Sequence, residues 1–132
     1  MAISSILERV NYDGPSGSIM TGTHRAVIQN VSATRTLLPK ESGALCLFDR
    51  ATGIVYTLPT PVEGMQFDFL TTVSVTSNAY SVVTSAATVF MVGGVIAGSA
   101  NATIDTFTAD GTSIVKWSAD GATKGGLLGE FY

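Results

Sequence analysis

The sequence predicts an all-β protein, an antiparallel β-sandwich preceded by an extended N-terminal arm, and three observations predict it. Ala, Val, Thr, Ser and Gly are in excess, with 14 glycines and four prolines, a composition suited to short strands and tight turns. From Ala26 onward about eight or nine β-type segments recur every 8 to 12 residues or so, the spacing of a sandwich or jelly roll. Asp110-Gly111 and Asp120-Gly121 then follow strand-like runs, and Asp-Gly in that setting is a strong hairpin signal, implying a β-meander near the C-terminus. With 132 residues the chain makes one domain, able to bury roughly 68% of its unfolded surface.

The elements follow in order. Residues 1–25 read as an arm: Ser5-Ile6-Leu7-Glu8 has the form of a capping box, and the next stretch, NYDGPSGSIMTGTH, is rich in glycine and poor in apolar periodicity. Residues 26–132 form the β domain. AVIQNVS and ALCLFD are its first two strands, and IVYTL follows a turn in which Gly53 supplies the positive φ that closes a hairpin. Met65, Phe67 and Phe69 alternate with Gln66 and Asp68, the pattern of a half-buried strand. AYSVVT, TVFMV, ATIDTFT and SIVKWS complete the series, while Pro39, Pro59 and Pro61 fall at segment ends, where a missing N–H harms no ladder.

The charge pattern excludes several functions. Lys and Arg stand scattered at 9, 25, 35, 40, 50, 116 and 124 in a chain of net charge −3, so no basic stripe exists to neutralise phosphates and no direct nucleic-acid partner is expected. No run approaches the roughly 18 apolar residues that cross a bilayer, and the N-terminus lacks a secretory pattern, so the chain is expected to be made in the cytosol and to need no membrane. Cys46 is the sole cysteine and reads as a small buried hydrophobe between Leu45 and Leu47. Only 13% of residues are charged, against about 25% for an average globular protein, and so uncharged a surface points to a partner.

No catalytic set emerges. The one histidine, His24, lies in the glycine-rich arm and reads as a solvated residue or an interface contact, and one Cys plus one His cannot make a zinc site unaided. Asp105, Asp110 and Asp120 sit in or near turns and are the candidate calcium ligands, but Asp110 and Asp120 are better read as turn chemistry. Glu63 and Asp68, the nearest acidic pair, show only ordinary surface placement. Neither an enzyme, a metal nor a cofactor is expected.

One stretch raises a sharper question. In LFDRATGIVYTLPTP, Asp49 and Arg50 stand side by side between two apolar runs, either as a turn with Arg50 forked onto Asp49 or Glu41, or as an interface pair. The longer run 41–84 carries Ser-Gly, Asp-Arg-Ala-x-Gly, Thr-Leu-Pro-x-Pro, Gly-x-x-Phe-x-Phe and Thr-Ser-Asn in that order. It resembles a segment of small structural proteins of tailed bacteriophages, above all capsid decoration, or cement, proteins. The resemblance covers about a third of the chain, and its motifs are turns and strands. It implies a jelly-roll type of sandwich, a homotrimer at local threefold positions on the outer surface of the virion capsid, a phage major capsid protein as partner, synthesis in the bacterial host cytoplasm and no enzymatic activity. A phage tail or fibre module for receptor binding is the alternative, with Trp117 and Tyr80 as candidates for an exposed aromatic platform, although Trp117, in SIVKWS, reads more readily as a core or subunit-interface residue.

In a decoration protein, contact residues are expected in two places. Ile3, Ile6, Leu7, Arg9 and Tyr12 form the capsid-binding arm, which orders on contact with the shell. Asp49, Arg50, Leu127, Leu128, Phe131 and Tyr132 form a subunit or capsid interface, although the glycine-loosened tail GGLLGEFY also reads equally well as a last strand of its own sheet.

Overall fold

The computed structural model describes residues 11–12, 18–19, 25–29, 32–98 and 104–132. Among the described residues there are eleven strands: β1 (Asn11–Tyr12), β2 (Ser18–Ile19), β3 (Val27–Ile28), β4 (Thr34–Thr36), β5 (Leu45–Phe48), β6 (Val55–Thr57), β7 (Asp68–Thr71), β8 (Tyr80–Val83), β9 (Val92–Gly98), β10 (Ile104–Asp110) and β11 (Lys116–Ala119). The all-β expectation is met. In residues 1–25, β1 pairs antiparallel with β2, and the capping box at 5–8 lies outside the described residues.

Two sheets make the body, in the orders β3-β5-β7 and β11-β8-β6-β4. From β3 to β8 the chain alternates between them, each strand returning parallel to the one two before it. Antiparallel pairing is therefore corrected: the body sheets are mixed, with β8-β11 antiparallel and the other four pairings parallel. Parallel neighbours need a long crossover. Here the crossover is a strand of the opposite sheet, so β5 reaches β7 by way of β6, and no helix is required.

This winding stacks side chains in register. Ile28, Cys46 and Phe69 are partners across the first sheet and all three are buried. On the second, Arg35, Tyr56, Val82 and Trp117 are partners, with Tyr56 and Val82 buried. Phe48 links the two sheets: its ring stacks on Tyr80 at 4.5 Å and on Phe69 at 5.6 Å, and meets Tyr56 at 5.5 Å and Trp117 at 6.1 Å. Burial of the Cys46 thiol in this core pushes its pKa up to about 11.

Three turn expectations change with the topology. Gly53 has φ +84°, but the turn it serves carries the chain from one sheet to the other instead of closing a hairpin. Gly111 and Gly121 also adopt positive φ, yet β10 pairs with β9 and β11 with β8, so no C-terminal meander forms. The Met65–Phe69 alternation keeps its phase but not its bounds: the strand begins at Asp68, with Phe69 and Thr71 buried and Phe67 half-buried before it. TVFMV contributes only Val92 to a strand.

At its C-terminus the chain closes the first sheet. Phe69 and Tyr132 exchange backbone hydrogen bonds of 2.7 Å, and the Thr71 amide donates to the Glu130 carbonyl, so the tail lies antiparallel along β7. Both body sheets thus end on an antiparallel segment from the last 20 residues or so, β11 on one and the tail on the other. Their opposite edges are β3 and β4, the first turn of the winding.

Candidate functional site

The Asp49-Arg50 stretch proves to be a stitched corner. Gly53 N–H donates to the Arg50 carbonyl at 3.1 Å, and an added Cβ at Gly53 would stand 2.7 Å from the Ala79 carbonyl oxygen. The corner between β7 and β8 packs onto it. The Thr76 amide donates to the Ala51 carbonyl at 2.8 Å, and Asn78 Nδ2 donates to the Thr52 carbonyl at 3.0 Å. The Tyr80 hydroxyl lies 2.7 Å from the carbonyls of both Arg50 and Val73, and burial raises its pKa. Asp-Arg-Ala-x-Gly and Thr-Ser-Asn are therefore one structural unit, the joint between successive windings.

Asp49 and Arg50 are half-buried at this joint, and Arg50 Nη2 donates to Thr52 Oγ1 at 3.3 Å. Glu41 is taken by Arg35 at 2.7 Å and accepts the Leu38 amide at 2.8 Å. Burial opposes ionisation of Glu41, but the Leu38 amide and the Arg35 guanidinium outweigh it and hold the pKa below the usual carboxylate value. Arg25 bridges to Asp68 and donates to the Gly43 carbonyl at 2.6 Å, which removes Asp68 from any acid pair with Glu63.

Asp120 does turn chemistry. Its Oδ1 accepts the amides of Ala122, Thr123 and Lys124, each at 3.0 Å, and these donors hold its pKa at about 2. Among the described residues no group of three or more His, Cys, Asp or Glu could hold a metal ion. Asp105 and Asp110 lie on β10, and His24 lies outside the described residues.

Two apolar surfaces remain. At the C-terminal lip the tail backbone is pinned, and Tyr132 is half-buried with its ring 4.3 Å from Trp117. Its hydroxyl donates to Glu130, whose carboxylate also accepts the amides of Gly126 and Leu127; burial and the Glu130 contact together raise the Tyr132 pKa. Leu127, Leu128 (69%) and Phe131 (60%) are left exposed. The tail thus pairs along its own sheet as a last strand would, while Leu127, Leu128 and Phe131 face solvent.

The second surface is an open groove of about 260 Å³, lined by Leu58, Pro59, Pro61, Val62, Met65 and Phe67 among others. Sequence reasoning took these prolines only as strand ends and missed the groove. Its signal was the Pro-x-Pro-Val run itself, four consecutive positions without a charge.

Of the arm residues, Tyr12 lies on β1, while Ile3, Ile6, Leu7 and Arg9 fall outside the described residues. Tyr80 is fully buried and Trp117 half-buried beneath Tyr132, so the expected aromatic platform does not exist as a pair. No helix among the described residues is long and apolar enough to cross a membrane. The chain matches no model of a known family, no curated protein and no solved structure.

Proposed function

We propose that the protein is a non-catalytic phage head decoration, or cement, protein that binds across major capsid protein subunits and stabilises the expanded shell. The observation that carries this reading is the C-terminal lip, where a hydrogen-bonded backbone presents Leu127, Leu128 and Phe131 to solvent in a chain with few charges. Exposed apolar side chains on a rigid frame favour association, because little order is lost when a partner covers them. The resemblance of residues 41–84 to decoration proteins supplies the partner, the outer capsid surface as location and a homotrimer as the assembly. The stitched joint supports a structural role for that segment, since its polar residues are spent on holding the windings together.

A ligand that binds only the closed, expanded lattice stabilises it by mass action, so many weak contacts suffice. Co-sedimentation of the purified protein with heads stripped of it tests this. The reading expects saturable binding to expanded heads, with Leu128→Ser/Phe131→Ser binding at least tenfold more weakly; equal binding by that variant removes the lip from the account.

The winding itself favours a second reading, a tail or fibre module. Chains that alternate between parallel sheets stack turns along an axis, and such stacking is how elongated solenoids are built. Labelling of intact virions with an antibody to the protein separates the readings, by decorating the head in the first and the tail in the second.

A further inference from the structure

We infer that the β9–β10 ribbon of one copy adds as a strand pair to the β4 edge of a second copy, so that an edge and a ribbon that meet no further strand among the described residues complete each other. This rests on the homotrimer reading and names the elements that would join.

The edge is defined by its hydrogen bonds. The Leu37 amide donates to the Thr57 carbonyl and the Val55 amide to the Ala33 carbonyl, both at 2.9 Å, so alternate residues of the segment face β6. Thr34 and Thr36, which lie between them, direct their backbone groups to the other side. No strand among the described residues pairs there, both threonines are exposed, and Ser32 Oγ donates to the Thr34 carbonyl at 2.7 Å. Arg35, between the two threonines, is drawn onto Glu41 at 2.7 Å. At the opposite end of the winding, the chain completes both sheets with antiparallel segments of its own. Exposed edges are templates for added strands.

The ribbon is the counterpart. β9 and β10 pair over seven registers from Val92↔Asp110 to Gly98↔Ile104, and neither pairs with any other strand among the described residues. Its root is fixed to the body by Gly111 N–H to the Met91 carbonyl at 3.0 Å and Met91 N–H to the Ile114 carbonyl at 2.6 Å. Seven residues at ~3.3 Å each give about 23 Å of ribbon. A two-stranded ribbon alone is at best marginally stable in water, so it gains from joining a sheet. The contact pairs two different surfaces and is heterologous, which closes into a ring if the rotation permits, as a trimer requires.

Two variants test this. Thr36→Pro removes the outward amide and leaves the bonds to β6 intact, while deletion of residues 96–106 shortens the ribbon to a turn between Gly94 and Thr108. Light scattering on a sizing column is expected to show the wild type associated and each variant alone as a single chain, about 13.7 kDa for Thr36→Pro. An equimolar mixture of the variants is expected to recover pairs, because the first keeps a ribbon and the second keeps an edge. Thr36→Val, which keeps its amide, should associate like the wild type, and circular dichroism checks that each variant is folded. A monomeric wild type, a ribbon deletion that associates normally, or a mixture that stays monomeric overturns the inference. A monomeric wild type that still co-sediments with heads would sink the ribbon contact and leave the decoration reading standing; association without head binding would do the reverse.

Discussion

Phe48 is the residue on which the two sheets turn, and replacing it by alanine separates a wound two-sheet core from any arrangement in which β5 faces solvent. The side chain is fully buried and touches four other rings, two of them stacked. Deleting a buried Phe costs about 3 to 5 kcal/mol, and the loss of several ring pairs, each worth roughly 0.5 to 1.5 kcal/mol, places this site near 4 to 5. For a chain of this length a loss of 1 kcal/mol lowers Tm by roughly 3 to 4 °C, so Phe48→Ala should unfold about 12 to 20 °C earlier. Phe67 provides the internal comparison. It is half-buried at the groove, so Phe67→Ala loses about half the transfer term and should cost roughly 1 to 2 kcal/mol. Calorimetry and urea unfolding on both variants decide the matter. A Phe48→Ala shift under about 3 °C, or a Phe67→Ala shift equal to it, would refute the packing described.

Four further outcomes are expected. Gly53→Ala places a side chain at positive φ and against the Ala79 carbonyl, so it should cost at least about 1 to 2 kcal/mol by thermal unfolding. Asp120 has a folded pKa of about 2 against an ordinary 3.8, so its stabilising contribution is complete above about pH 4 and is lost as pH falls through 2; the gap in urea midpoint between wild type and Asp120→Ala should narrow over that window. The Cys46 thiol, buried and raised to about 11, should resist iodoacetamide at pH 8 until urea unfolds the chain. Removing residues 1–10 should weaken head binding while the β body keeps its unfolding temperature, and undiminished binding would rule out the arm as a contact element.

Much of the strand content was legible because it depends on local pattern. LCLF is wholly apolar, VYT and YSVV are rich in β-branched and aromatic residues, all three are short and bounded by turn residues, and each forms a strand close to where the pattern puts it. The pairing was not legible. Gly53, Gly111 and Gly121 do take the positive φ that their sequences announce, but a tight turn looks the same whether it returns the chain within one sheet or passes it to another. The winding also leaves no repeat to detect: the register partners Val27, Leu45 and Asp68 are 18 and 23 residues apart, so successive turns differ in length.

The candidate site divides in the same way. Leu127, Leu128 and Phe131 stood out as apolar residues near glycines, and their exposure follows from the pinned tail. Asp49 and Arg50 stood out as charges between apolar runs, and their place in the joint depends on Thr76, Asn78 and Tyr80, about 25 to 30 residues away. The groove beside Pro59 and Pro61 needs β6 and β8 brought side by side, which no local pattern specifies.

The central claim, a shell-wide structural role, is tested most directly by counting. Quantitative mass spectrometry of purified virus particles gives the ratio of this protein to the major capsid protein. A shell-wide decoration protein gives a ratio near one to one. A handful of copies per particle, or none, would contradict it.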